Sequence, residues 1–74
     1  MKTIKIFKTD VRDQAIAAQI VRYLQVHFAD SRINFDLDDC DHILRVECSH
    51  SAIAEPEIQA LIANWGHRCE PLPD

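Results

Sequence analysis

The chain has 74 residues, 47% of them hydrophobic, with one glycine, three prolines and a net charge of −4 from 8 basic and 12 acidic residues. That length fits one domain spanning 1–74 and the composition is globular, while the acidic balance argues against a duplex nucleic-acid binder, whose affinity rests on neutralising phosphates. No apolar run approaches the roughly 20 residues that span a bilayer, and the N-terminus has neither the long apolar stretch nor the small-residue cleavage site of a signal peptide, so a soluble, cytoplasmic protein is expected.

The segment Thr3 to Lys8 sets Ile4 and Ile6 against Lys5 and Phe7, which reads as a strand with apolar character on both faces and so as a central one. Asp10 is a good helix N-cap, and Asp13 three residues on suits the positive end of a helix. The first helix is expected over Val11 to Phe28, with Ile16, Ile20, Tyr23, Leu24, His27 and Phe28 recurring at three- and four-residue steps on one apolar face.

A second strand is expected over Ser31 to Leu37, with Ile33, Phe35 and Leu37 pointing one way and Asn34, Asp36 and Asp38 the other. Asp38-Asp39-Cys40-Asp41 is the hairpin turn, because short polar side chains favour turns. The third strand covers His42 to Cys48, with Leu44, Val46 and Cys48 inward. Two alternating runs around a polar turn are a strong hairpin signal.

The second helix is expected over Ala54 to Trp65. Pro56 falls in its first turn, where a missing N–H costs nothing. Ile58, Leu61, Ile62 and Trp65 make its buried face, and Gly66 is placed to end it. A short strand from His67 to Pro71 follows, with Cys69 inward, and Pro71 and Pro73 suit an edge or a tail.

The order β-α-β-β-α-β, with one-sided alternation in the hairpin strands, places two helices on one face of a four-stranded antiparallel sheet. Two split β-α-β units with right-handed crossovers give a ferredoxin-like α+β fold of strand order 4-1-3-2.

The short first strand, the long first helix, the Asp36 to Asp39 hairpin entry and the ending Trp65-Gly66-His67-Arg68-Cys69-Glu70 resemble the heavy-metal-associated domain family, the fold of small copper chaperones and of the N-terminal modules of metal-pumping ATPases. The resemblance covers nearly the whole chain. It implies a C-x-x-C metal pair in the first strand-to-helix turn. Here that turn reads Thr9-Asp10-Val11-Arg12-Asp13-Gln14, with Val11 and Gln14 near the cysteine positions. The fold carries over, and the metal-carrying function does not follow with it.

Three cysteines, Cys40, Cys48 and Cys69, form no recognised spacing and fit reduced thiols better than a disulfide framework. The topology gathers Asp10, Asp13, Cys40, His42 and His67 near one pole of the sheet, where Cys40, His42 and His67 could ligate zinc or copper. The plainer alternative is an exposed hairpin thiol, a strand-start histidine and a histidine at the lip of the core. The opposite pole would collect His27, Cys48 and His50, with His27 read as a partly buried core histidine and Cys48 as a small apolar residue. The aspartates at 36, 38, 39 and 41 lack the glycine and bidentate glutamate of a calcium loop. With a single glycine there is no phosphate-cradling loop, and no side chain is marked as an activated nucleophile.

A non-enzymatic binding module is therefore expected, with no cofactor. Its partner would be a protein, or a second copy, taken by the open sheet face or an edge. The outward positions Arg32, Asn34, Asp36, Arg45 and Glu47 are mixed in charge, and Phe7 and Ile43 are expected to add apolar area there. Phe7, Ile43 and Arg45 are the candidate interaction residues. The alternative is a copper or zinc carrier using Cys40 with His42 or His67. Nucleic-acid and membrane partners are not expected.

Overall fold

The structure, a computed structural model, describes residues 2–38, 40–49 and 53–72. Its elements run β1 (Thr3–Thr9), α1 (Gln14–His27), β2 (Ser31–Asp36), β3 (Ile43–Cys48), α2 (Glu55–Asn64) and β4 (Cys69–Pro71). The strands form one antiparallel sheet in the order β2-β3-β1-β4, the expected order read from the other edge. Asp39, His50 and Pro73, which carried parts of the sequence expectations, lie outside the described residues.

One core joins the sheet to both helices. Phe7, Val11, Ile20, Leu24, Leu44, Ile58 and Ile62 are each 0% exposed. Burying side chains of this size contributes about 1.5–3 kcal/mol each, which is how so short a chain offsets the entropy of ordering. α1 supplies Ala17, Ile20 and Leu24, spaced for one helical face, and α2 supplies Ile58 and Ile62.

The helix ends follow local chemistry. α1 begins three residues later than the sequence suggested, and its N-cap is Asp13 rather than Asp10. The Asp13 carboxylate accepts from the N–H groups of Ala15 at 2.7 Å and Ile16 at 3.4 Å. The intervening stretch cannot coil because it is tied to the sheet. Thr9 Oγ1 donates to the His42 carbonyl and accepts from the Val11 N–H at 3.3 Å, and Val11 is sunk in the core.

α2 ends in a Schellman motif. The Gly66 N–H bonds to the Ala63 carbonyl and the His67 N–H to the Ile62 carbonyl, with Gly66 at φ 82°. The left-handed conformation is why glycine is needed there.

β1 corrects one expectation about faces. Antiparallel register sets Phe7 opposite Leu44 and Lys5 opposite Val46. Leu44 and Val46 are buried, so Phe7 lies on the core side. Ile4 and Ile6 take the open side instead. Lys5 shares the parity of Phe7, but its ammonium reaches Glu55 in the first turn of α2 at 3.7 Å, so its charge stays solvated.

Candidate functional site

Two places collect the residues singled out in the sequence: the pole where β1 enters α1, and the sheet face that no helix covers.

At the pole, Asp10 is a clasp. Its Oδ1 accepts from the Arg68 N–H at 2.9 Å and lies 3.0 Å from His67 Nδ1, fastening the β1–α1 connection to the start of β4. Burial pushes the Asp10 carboxyl up, but the Arg68 N–H and the His67 ring outweigh it and hold the group below the usual carboxylate range. His67 is thus joined to a carboxylate and not to a thiol.

His42 sits just before β3 at φ 46°, a left-handed conformation uncommon for a residue with a Cβ. Its Nδ1 is buried with no hydrogen-bond partner among the described residues. Cys40 is an exposed thiol in the turn. Among the described residues, no three His, Cys, Asp or Glu side chains form a group that could hold a metal ion. In the connection from β1 to α1, Val11 is buried and Gln14 is exposed as the first residue of α1.

The opposite pole also departs from expectation. His27 is exposed, not partly buried, its ring edge-on to Tyr23 at 4.8 Å between centroids. It lies on the flank of α1 that borders α2, where Tyr23 meets Trp65 at 6.0 Å, rather than over the sheet. Cys48 is 3% exposed and Cys69 9% exposed, both on the core side as expected. Burial, and then the Glu70 charge, push the Cys69 thiol up to about 12, so it is an inert core residue.

The uncovered face is built by strand parity. β2 places Arg32, Asn34 and Asp36 on it, opposite Glu47, Arg45 and Ile43 of β3. β1 adds Ile4 and Ile6, paired with Glu47 and Arg45, and Lys8, which pairs with Glu70 of β4. Ile4, Ile6 and Ile43 are half-buried, kept from full exposure by their cross-strand neighbours. Ile6 and Ile43 line a shallow depression of about 430 Å³ with Asn34, Asp36 and Arg45.

The electrostatics of this face differ from those of the chain. Arg32, Arg45 and Lys8 equal Asp36, Glu47 and Glu70 in number, so these strand positions together carry no net charge although the protein carries −4. Two flanking residues add one charge of each sign, Lys2 lying 3.2 Å from Glu47 and Asp41 lying 3.8 Å from Lys8. Of the candidate interaction residues, Ile43 and Arg45 lie on the face and Phe7 does not. Ile4 and Ile6 were missed; aligning β1 with the unambiguous inner row Leu44 and Val46 would have found them.

No helix among the described residues is long and apolar enough to cross a membrane. No protein-family model, curated protein or solved structure matches the chain.

Proposed function

We propose that the protein is a small non-enzymatic binding module that takes a protein partner on its open sheet face. The β-α-β-β-α-β order with both helices joined to one core is the arrangement of ferredoxin-like domains. On this reading the chain is a heavy-metal-associated scaffold in which a buried valine and an exposed glutamine stand where the metal pair would be.

The observation that carries the reading is the isoleucine row. Ile4 and Ile6 follow each other along β1 and Ile43 of β3 stands diagonal to Ile6, on a face that neither α1 nor α2 covers, among charges of both signs. Half-exposed apolar side chains within a polar rim are the anatomy of a protein-binding patch. A neutral patch on an acidic protein also lets a partner approach without net repulsion at the contact.

Ile6→Asp and Ile43→Asp place a charge in that row while leaving the buried core intact. Each variant should keep its far-UV circular dichroism and lose partner capture by tenfold or more, roughly the effect of removing a central anchor. Capture unaffected by either substitution would remove this reading.

A further inference from the structure

The two edges of the sheet are not alike. β4 is three residues long and ends in Pro71, so it offers little for another strand to pair with. β2 has six residues, Ser31-Arg32-Ile33-Asn34-Phe35-Asp36, with no proline, glycine or lysine. Natural proteins blunt edges with very short strands, prolines or charges, above all lysines; β2 has neither of the first two, and its two charges, Arg32 and Asp36, are of opposite sign.

Its backbone groups are sorted by alternation. The Ser31 N–H bonds to the Phe28 carbonyl, and the Ser31 carbonyl accepts from Gln25 Nε2, so Ser31 turns its backbone away from β3. Ile33 and Phe35 share that parity and direct their N–H and C=O groups out of the sheet. Beside them runs a groove where Ala17, Ala18 and Val21 of α1 border Phe35 and Leu37.

The sequence of this edge complements itself. In an antiparallel pairing centred on Asn34, Ile33 of each copy meets Phe35 of the other, and these are the residues with outward-facing backbone groups. Arg32 of each copy then meets Asp36 of the other, in the closely spaced kind of pair, and the two Asn34 amides face each other. We propose that β2 is the edge through which a second copy of this chain pairs, giving a two-fold dimer with one continuous sheet. About four backbone hydrogen bonds and two Arg32–Asp36 pairs hold the register. The pairing is made by the backbone of the sheet's edge, although Arg32 and Asp36 also border the open face; Ile6→Asp, on that face alone, tells this inference from the binding-face reading.

Sedimentation equilibrium from about 1 µM to 1 mM tests it, with circular dichroism confirming that each variant is folded. The weight-average mass should rise from the 8.5 kDa of one chain toward twice that value. Asp36→Arg sets Arg against Arg, and Arg32→Asp sets Asp against Asp; each alone should weaken the dimer by about tenfold or more. Mixed one to one, the two variants should form a heterodimer, because all four charges then pair with opposites. Ile6→Asp, on the open face, should leave the dimer unchanged. A parent that stays monomeric throughout would overturn the proposal. So would a dimer indifferent to both charge reversals, a mixture that fails to associate, or a dimer lost only in Ile6→Asp.

Discussion

Phe7→Ala and Ile6→Ala are adjacent substitutions in one strand, and the sheet parity makes their costs very different. Phe7 is 0% exposed and sits opposite Leu44 in the core. Removing a fully buried ring loses its transfer free energy and leaves a cavity, about 3–5 kcal/mol. A domain of this length has a total stability of about 4–11 kcal/mol, so Phe7→Ala takes a large share of it. Ile6 is half-buried on the open face, where truncation leaves no enclosed void, and the expected cost is below about 1 kcal/mol.

Urea melts followed by far-UV circular dichroism and by Trp65 fluorescence separate the two. With a slope near 1 kcal/mol/M for a small domain, Phe7→Ala lowers the midpoint by roughly 3 M or more, and Ile6→Ala by less than about 1 M. Phe7→Leu, at about 1–2 kcal/mol, gives a measurable midpoint if the alanine variant does not fold. Equal shifts, or a larger one for Ile6, would mean that β1 presents its other face to the helices.

Asp10→Asn tests the clasp. The Asp10 carboxyl is held below its ordinary range in the folded chain, so its contribution is present above the unfolded pKa near 4 and fades as pH falls through the lower folded value. The variant should be less stable at pH 7 by about 0.5–1 kcal/mol, since the side chain is half exposed and screened, and should converge on the parent as pH falls through the folded value; a gap that persists in acid would contradict this. Gly66→Ala should cost about 1 kcal/mol in a urea melt, wholly through the backbone, because a Cβ there meets nothing within 4 Å; a neutral effect would mean that the Schellman turn is not formed. A thiol reagent should modify Cys40 at once, and Cys48 and Cys69 only at the rate of opening, with prompt labelling of all three refuting the core assignment. Zn(II) and Cu(I) titrations under reducing conditions should show nothing tighter than nonspecific binding, given that His67 is joined to Asp10; tight binding abolished by Cys40→Ser would replace the binding module by a metal carrier.

The hairpin was readable from residues alone, because β2 and β3 each have one apolar and one polar row and alternation fixes their faces. Gly66 was readable for a similar reason: a lone glycine after a helical apolar face has few other uses. β1 was ambiguous. As a central strand it carries apolar side chains on both faces, and only its pairing with Leu44 and Val46 shows that Phe7 goes inward. The start of α1 was obscured by two aspartates three residues apart, each a competent cap. The choice depends on Thr9 reaching His42, a contact across 33 residues that no local pattern reveals. The juxtaposition of Asp10 with His67 and Arg68 is equally non-local, although placing both segments at one pole did bring them into one neighbourhood. His27 shares the spacing of the apolar face but sits at its margin, where a helix turns from core to solvent.

Site-specific photo-crosslinking tests the open-face account most directly. A photoreactive residue replaces Ile6, Ile43 or, as a control on the far side of the molecule, Val26, which is 81% exposed on α1. Partner adducts should form from positions 6 and 43 and not from 26. Adducts from position 26 alone, with none from the sheet, would place the working surface on the helices and contradict the account.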